Sequence, residues 1–178
     1  YKRQAQSVAI GRGGLAAPPV GYGAAALGNL YRALGDDEWP GIVPAAWAGG
    51  IRYFDVAPHY GLGLAERRLG ESLRQLPRDE YIVSTKVGRL LVPQDAAGRT
   101  DIDNLFDVPA DHRRVQDYSR DGVLRSIEQS LERLGLDRID IALVHDPDAH
   151  EREALEGAFP ALSAVSYTHL TLPTILLV

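Results

Sequence analysis

Three short apolar runs mark the chain, and an ionisable residue ends each of them. The runs and their last residues are 50–55 with Asp55, 81–86 with Lys86, and 139–145 with His145. Tyr60 follows the first run after five residues. The residues before each ionisable group are those of strands buried on both faces, as in parallel sheets covered by helices. Because the carboxyl ends of parallel strands lie at one edge, we expect Asp55, Tyr60, Lys86 and His145 to share one site.

Helical patterns alternate with these strands. Leu62, Ala65, Leu69 and Leu73 recur at a helical period, and Ser119 precedes a second apolar stripe that Gly135 ends. Toward the start of the chain the sequence predicts a hairpin turn at 11–14, a strand over 19–27 and a helix over 36–48 that Pro44 kinks or delays. Further along it predicts helices over 62–76, 119–135 and 150–162. A long functional or mobile loop is expected over 90–117.

This alternation of strands and helices predicts an α/β fold. An open doubly wound sheet is the competing architecture, but no G-x-G-x-x-G motif follows a strand. A (β/α)₈ barrel explains why function-like groups leave the ends of three successive strands, since all its strand ends face one mouth. A full barrel has about 250 residues. We therefore predict a TIM barrel truncated to about its first four strand and helix units.

Composition narrows the class of protein. The 178 residues are 45% hydrophobic and 24% charged, as in one globular domain, and the net charge of −5 argues against nucleic-acid or anionic-membrane surfaces. The sequence contains no cysteine, so neither disulfides nor thiolate chemistry are expected. No run approaches the ~18 apolar residues of a membrane span, and no signal segment opens the chain. We expect a cytoplasmic protein.

The four ionisable residues suit proton transfer at an oxygen. A free tyrosine has a pKa of about 10, and a nearby ammonium such as that of Lys86 lowers this value by favouring the phenolate. Asp55 would keep Lys86 charged and fixed, and His145 would orient a substrate oxygen. Because none of the four carries a hydride, a nicotinamide cofactor, NADP or NAD, is the natural partner.

Several motifs resemble the aldo-keto reductase superfamily, and the resemblance extends from about Val20 to Ala164. They are Phe54-Asp55 with Ala57-Pro58-His59-Tyr60-Gly61, Glu66 with Leu69-Gly70, Ser84-Thr85-Lys86, Leu143-Val144-His145, Tyr118 to Val123 and Asp146-Pro147-Asp148. They are most similar to bacterial members that oxidise sugars or pyridoxal.

The resemblance implies a TIM-type barrel that interconverts a carbonyl and an alcohol with NADP or NAD. It makes Tyr60 the general acid and base, Lys86 and Asp55 the groups that tune it, and His145 the group that orients a carbonyl. It also implies that Gly23, Ala24 and Asp55 lie near the cofactor, and Leu30 and Tyr31 near a small sugar or aldehyde. The family's main cofactor contacts come from later strands, so we expect the fragment itself to be inactive.

Other interpretations stay open at this stage. His59 precedes Tyr60 and either lines the substrate mouth or packs at the surface. Asp55, His59, His145 and Asp146 could form the metal site of a barrel hydrolase or isomerase, although the ammonium of Lys86 would repel the ion. A barrel subunit that binds the cofactor without catalysis is the third possibility. We predict no metal, and the sequence does not indicate an oligomeric state.

The last residues have a different character. Residues 165–174 can be encoded by a nucleotide string that resembles the transposon adapter used to prepare sequencing libraries. We therefore expect residues 1–164 to be the N-terminal half of an aldo-keto reductase barrel and residues 165–178 to be a non-native tail. A genuine terminal hairpin or buried strand is the alternative. The opening Tyr1 and the lack of methionine fit a fragment.

Overall fold

A parallel sheet of four strands forms the centre of the structure, a computed structural model that describes residues 7–10 and 15–165. The strands lie side by side in the order in which they occur along the chain. They are β3 (Tyr22–Gly23), β4 (Tyr53–Asp55), β5 (Ile82–Val87) and β8 (Ile141–Val144). Because the order never reverses, the sheet has no topological switch point, which favours the barrel over the doubly wound alternative.

Helices connect and cover these strands. They are α1 (Ile42–Ala48), α2 (Leu64–Leu73), α3 (Arg120–Leu134), α4 (Glu151–Glu153) and α5 (Phe159–Val165), with a π-helical segment (Ala154–Ala158) between the last two. The hydroxyl oxygen of Ser119 accepts a hydrogen bond from the amide of Gly122, and Gly135 ends α3 with a φ of 62°. The predicted bounds of this helix are therefore confirmed.

The prediction that Pro44 delays its helix is also confirmed. A short 3₁₀ segment (Trp39–Gly41) precedes α1, which begins only at Ile42. Pro44 thus lies in the first turn of α1, where its missing N–H leaves no intrahelical hydrogen bond unmade. The earlier residues of the predicted helix, from 36 onward, are outside α1.

Two predicted segments differ from the structure. The strand expected over 19–27 is confined to Tyr22–Gly23, and Ala24–Gly28 form a 3₁₀ helix. The loop expected over 90–117 contains an antiparallel hairpin of β6 (Arg89–Pro93) and β7 (His112–Gln116). Its five residue pairs satisfy the backbone of a segment whose mixed sequence lacks a clear strand alternation.

The hydrophobic core lies between the sheet and its helices. Phe54 and Val83 on the strands, Leu69 on α2 and Val123 on α3 belong to this single cluster of buried side chains. Since these strand residues alternate with Asp55, Ser84 and Lys86, the opposite face of β4 and β5 carries polar groups. The core thus fixes the strands that present the candidate site.

A second, smaller sheet precedes the parallel one. Strands β1 (Val8–Ile10) and β2 (Leu15–Ala17) pair antiparallel, so the predicted hairpin has its two arms. Its turn at 11–14 lies outside the described residues, as do residues 166–178 of the predicted tail, whose first residue, Val165, ends α5. None of the helices formed by the described residues is long and apolar enough to cross a membrane.

Candidate active site

The structure brings the four predicted catalytic side chains to the carboxyl edge of the parallel sheet. Asp55 is the last residue of β4, Lys86 is the next to last of β5, and His145 directly follows β8. Tyr60 lies in the turn between β4 and α2. Parallel pairing sets Asp55 opposite Ser84 and Lys86 opposite Leu143, so these strand ends are held in register.

Lys86 is the centre of the cluster. Its Nζ donates hydrogen bonds to Oδ2 of Asp55 at 2.8 Å, to the hydroxyl of Tyr60 at 3.1 Å and to the carbonyl of Val56 at 3.1 Å. The residue is only 9% exposed. Burial by itself lowers the pKa of Lys86, but the charge and hydrogen bonds of Asp55 and Tyr60 outweigh burial and raise that pKa above its ordinary value. Lys86 is therefore a fixed cation beside a phenol oxygen.

Tyr60 is positioned by a close approach of two backbone segments. A Cβ at Gly28 would lie 2.7 Å from the carbonyl carbon of Tyr60, and Gly61 adopts a φ of 60°. Only glycine permits this contact and this conformation without strain. The 3₁₀ segment after β3 therefore packs directly under the turn that carries Tyr60.

Two histidines line the same cluster. The rings of His59 and His145 are perpendicular with their centroids 5.5 Å apart, and the ring of His145 lies 6.1 Å from that of Tyr60. Burial, followed by the charges of Arg114 and Arg89, lowers the pKa of His59 to about 4. Burial and the charges of Arg89 and Lys86 lower the pKa of His145 to about 3. Both imidazoles are therefore neutral at pH 7.

His145 keeps free hydrogen-bonding capacity. Its backbone N–H donates to the carbonyl of Val87 at 3.0 Å, and its backbone carbonyl accepts from the hydroxyl of Tyr118 at 3.2 Å. Within the described residues its Nδ1 is buried without a hydrogen-bond partner. A neutral imidazole with one N–H donor and one acceptor nitrogen suits the binding of a substrate oxygen.

Residues after β6 cover the cluster, and sequence reasoning did not single them out. The ring of Phe106 is perpendicular to His59 at 5.5 Å and tilted over Tyr60 at 6.0 Å between centroids. The guanidinium of Arg114 anchors this cover through both oxygens of Asp101, at 2.8 and 2.5 Å, and the carbonyl of His59 at 2.9 Å. The length of the predicted loop was the only signal of this role.

The remaining predicted site residues lie around the cluster. Gly23 is exposed, and no atom lies within 4 Å of where its Cβ would be, whereas Ala24 is fully buried in the core. Leu30 forms an isolated bridge with Phe106. Tyr31 is 70% exposed with a φ of 65°, and its amide donates to the carbonyl of Leu105 at 2.7 Å. Their roles toward cofactor and substrate stay predictions.

One cavity of about 560 Å³ lies elsewhere, between α2, α3 and the hairpin of β6 and β7. It is lined by residues such as Arg67, Arg74, Gln129 and Arg133. None of the four clustered side chains lines it. We assign the chemistry to the strand ends because Lys86, Asp55 and Tyr60 are in hydrogen-bond contact there and two neutral imidazoles adjoin them.

Comparisons with known proteins point to one family. A profile described as the aldo/keto reductase family matches residues 19–166. The chain is 56% identical over 155 residues to D-threo-aldose 1-dehydrogenase of a Pseudomonas species, covering 85% of this chain and 47% of that protein. It is 41% identical over 154 residues to pyridoxal 4-dehydrogenase of Microbacterium luteolum, covering 82% of this chain and 44% of that protein. The chain thus spans about half the length of these relatives.

Solved structures agree in fold. A structure from Pseudomonas aeruginosa assigned to the aldo-keto reductases superposes with a TM-score of 0.71 at 30% identity, covering 96% of this chain and 59% of that one. A glycerol dehydrogenase of Gluconobacter oxydans superposes with a TM-score of 0.72 at 22% identity, covering 98% and 48%, and supports the fold alone. The four described units are therefore part of a TIM barrel, as predicted.

Proposed function

The chain belongs to the aldo/keto reductase family, and we propose that it is part of an NAD(P)-dependent oxidoreductase that interconverts a carbonyl and an alcohol. The observation that carries this proposal is the position of Lys86, whose Nζ contacts the carboxylate of Asp55 and the hydroxyl of Tyr60 together. Such an arrangement stabilises negative charge on the phenol oxygen, as proton exchange with a substrate oxygen requires.

The residues of the cluster fit the proton half of this reaction. In reduction Tyr60 gives its hydroxyl proton to the carbonyl oxygen, and in oxidation the tyrosine oxygen takes the proton of the substrate hydroxyl. Lys86 stabilises the phenolate that results, and Asp55 keeps the ammonium in place. Neutral His145 donates its N–H to the same substrate oxygen and thereby orients it. NAD(P), when bound, supplies or accepts the hydride.

The strand ends offer room for a flat ring. Gly23 pairs with Asp55 across β3 and β4, and the space where a Cβ at Gly23 would lie is open to 4 Å. A side chain there would narrow the edge at which the proton donors converge. We assign Gly23 and Asp55 to the nicotinamide side of the cofactor. Fully buried Ala24 would contact it only after a local shift.

A sugar or another small polar aldehyde is the proposed substrate. The names of the two relatives describe an aldose dehydrogenase and a pyridoxal dehydrogenase. His59 supports this class, because a second neutral imidazole beside His145 suits a hydroxyl group next to the reacting carbon. Tyr31 and Leu30 would form the outer wall of this site. The use of NADP or NAD as the cofactor and a cytoplasmic location stay predictions.

The metal-dependent alternative is disfavoured by the same contact. The carboxylate that such a site would use is already paired with the ammonium of Lys86 at 2.8 Å. In the part of the chain that the structure describes, no three potential ligand side chains group around a common point. A subunit without catalysis is disfavoured because Tyr60 and Lys86 are both present and in contact.

The test removes one hydroxyl. We define the completed barrel as residues 19–164 of this chain joined to the C-terminal half of the D-threo-aldose 1-dehydrogenase relative. In this protein Tyr60→Phe should lower kcat at least about 100-fold while the Kd for the nicotinamide cofactor stays unchanged, since only proton transfer loses its group. Tyr81→Phe, which removes a buried phenol hydroxyl in the core, is the matched control. Turnover of aldoses by Tyr60→Phe at the parent rate would overturn the proposal.

A further inference from the structure

Ser84 lies beside the cluster and touches the one carboxylate oxygen that Lys86 leaves free. We propose that Ser84 is a positioning residue for the reaction proposed above: its hydroxyl holds the carboxylate of Asp55 in the orientation that directs Oδ2 at Lys86. The inference rests on that proposed function, and it adds a residue that acts through Asp55 without contacting the substrate.

The contacts form one continuous chain of hydrogen bonds. Oγ of Ser84 donates to Oδ1 of Asp55 at 2.6 Å, while Oδ2 accepts from Nζ of Lys86 at 2.8 Å. Lys86 then reaches the hydroxyl of Tyr60 at 3.1 Å. On the far side the hydroxyl of Tyr53 lies 3.1 Å from Oγ of Ser84. Each oxygen of the Asp55 carboxylate thus has one dedicated donor.

Strand geometry explains why Ser84 can do this. Asp55 and Ser84 are direct partners across β4 and β5, and paired residues of parallel strands face the same side of a sheet. Lys86 is two residues further along β5 and faces that side as well. The Asp55 carboxylate therefore lies between a hydroxyl and an ammonium that belong to one strand.

The Asp55 carboxylate needs such a second anchor. Its side chain is 30% exposed, so water competes for its oxygens, whereas Ser84 is fully buried. With only Lys86 as a partner, the carboxylate could turn about its last bond and still satisfy the ammonium. The Ser84 bond removes that freedom. It keeps the ammonium of Lys86 at the distance from Tyr60 that proton transfer requires.

Thr85 provides an internal control one residue away. It is also fully buried, and its hydroxyl donates to a carboxylate too, that of Glu66 at 2.8 Å. However, the side chain of Thr85 faces α2 on the other side of β5, and its hydroxyl bonds to Glu66 and not to Asp55. Loss of a buried hydroxyl from this strand can therefore be separated from loss of the contact with Asp55.

The experiment compares Ser84→Ala with Thr85→Val in the completed barrel. We expect Ser84→Ala to lower kcat about tenfold or more, with the Kd for the cofactor within about twofold of the parent value. Because Asp55 no longer faces Lys86 rigidly, the pKa of Lys86 should also fall, which NMR of a labelled lysine side chain measures without turnover. Ser84→Thr, which retains the hydroxyl, should recover both properties.

The outcomes distinguish this inference from the proposed function. A lower kcat and a lower pKa of Lys86 in Ser84→Ala, with Thr85→Val close to the parent, support the positioning role. Equal losses in both variants, or a pKa of Lys86 that does not move in Ser84→Ala, overturn it. If the parent protein shows no turnover, the proposed function fails, yet the titration of Lys86 still supports or overturns the role of Ser84.

Discussion

The two ends of β5 each have an ion pair, and the two pairs differ in the groups that their cations contact. At the amino end, the guanidinium of Arg78 contacts Oδ2 of Asp140 at 2.8 Å, and the amide of Val83 donates to the same oxygen at 2.8 Å. Arg138 lies 3.8 Å from the other oxygen. At the carboxyl end, Lys86 pairs with Asp55 at a similar distance, 2.8 Å. Both ends therefore have a carboxylate paired with a cation at the same distance, but the side chain of Asp140 is 8% exposed and that of Asp55 is 30% exposed.

The difference lies in the remaining donors and acceptors. Besides Asp140, Arg78 donates hydrogen bonds to the carbonyls of Tyr81 and Arg138, and its Nε is buried without a partner. None of these acceptors can exchange a proton. Lys86 instead donates a hydrogen bond to the hydroxyl of Tyr60, which can exchange its proton. The neighbouring His145 has a ring nitrogen without a hydrogen-bond partner. A pair whose cation hydrogen-bonds only to a carboxylate and backbone carbonyls stabilises the fold, whereas a pair whose cation also contacts an exchangeable hydroxyl supports chemistry.

The largest expected effect comes from studying the chain without the rest of a barrel. The amino-end pair is complete in this chain, but the family resemblance assigns the main cofactor contacts to later strands. Strands β3 and β8 also have no further strand partner among the described residues, so both edges of the sheet are open. We expect polypeptide 1–178 to self-associate and to show no turnover, as light scattering and nicotinamide absorbance would measure.

Deleting residues 165–178 should change neither property, because the sequence predicts that this segment is a non-native tail. A monomeric chain that unfolds cooperatively, reduces aldehydes and loses this activity with the tail would contradict both the expected domain boundary and the comparison of the two ends.

Replacement of Lys86 should separate activity from stability. In the completed barrel Lys86→Met should lower kcat by about 100-fold to 10,000-fold, because the phenol oxygen loses the cation that stabilises its negative charge. The free energy of unfolding should fall by less than the ~3–5 kcal/mol that loss of one partner costs a fully buried pair, since the side chain of Asp55 is 30% exposed and methionine fills the volume. Steady-state kinetics and urea unfolding give the two values.

Lys86→Arg is the matched variant, because it keeps the charge and changes only the geometry. It should remain far below the parent in kcat. Full activity in Lys86→Arg would mean that charge alone is sufficient at this end of the strand.

Replacement of Asp140 should have the opposite pattern. Asp140→Asn leaves Arg78 without its carboxylate in a buried position, so we expect the free energy of unfolding to fall by about 2–3 kcal/mol. The ratio kcat/KM should stay within about twofold of the parent. Asp79→Ala, which breaks an exposed ion pair with Arg138, is the control and should cost less than about 1 kcal/mol. A large loss of activity in folded Asp140→Asn would contradict the division of roles.

The sequence was sufficient to place the candidate site because strand ends and ionisable residues coincide there. Asp55, Lys86 and His145 each follow an apolar run, and the position of Tyr60 five residues after Asp55 placed it in the adjoining turn. The family assignment made from these motifs is confirmed. So is α3, whose capping serine and terminal glycine are local signals that act without tertiary context.

Other features depend on contacts between distant segments and left no local pattern. Phe106 reaches Tyr60 only because the segment between β6 and β7 folds back over the site. Asp101 in that segment pairs with Arg114 on β7. The register that sets Ser84 opposite Asp55 is likewise a property of strand pairing. The strand predicted through Ala24 was too long, because residues 24–28 form a 3₁₀ helix. The small residues of this helix let its backbone pack under Tyr60.

The smallest expected effect is the pH dependence that His145 gives to stability. Its pKa is about 3 in the fold because burial and the charges of Arg89 and Lys86 oppose protonation, against about 6.5 in the unfolded chain. The unfolded state therefore binds more protons between these values, so this contribution is complete above pH 6.5 and is lost as the pH falls toward 3. The slope is at most about 1.4 kcal/mol per pH unit for this group.

Urea unfolding of the completed barrel between pH 4 and 7 measures this slope. His145→Gln should lower the slope without abolishing it, because burial and the charges of Arg114 and Arg89 also lower the pKa of His59 to about 4. Equal slopes in the parent and in His145→Gln would mean that His145 is charged in the fold, and it could not then orient a substrate oxygen as the neutral donor proposed here.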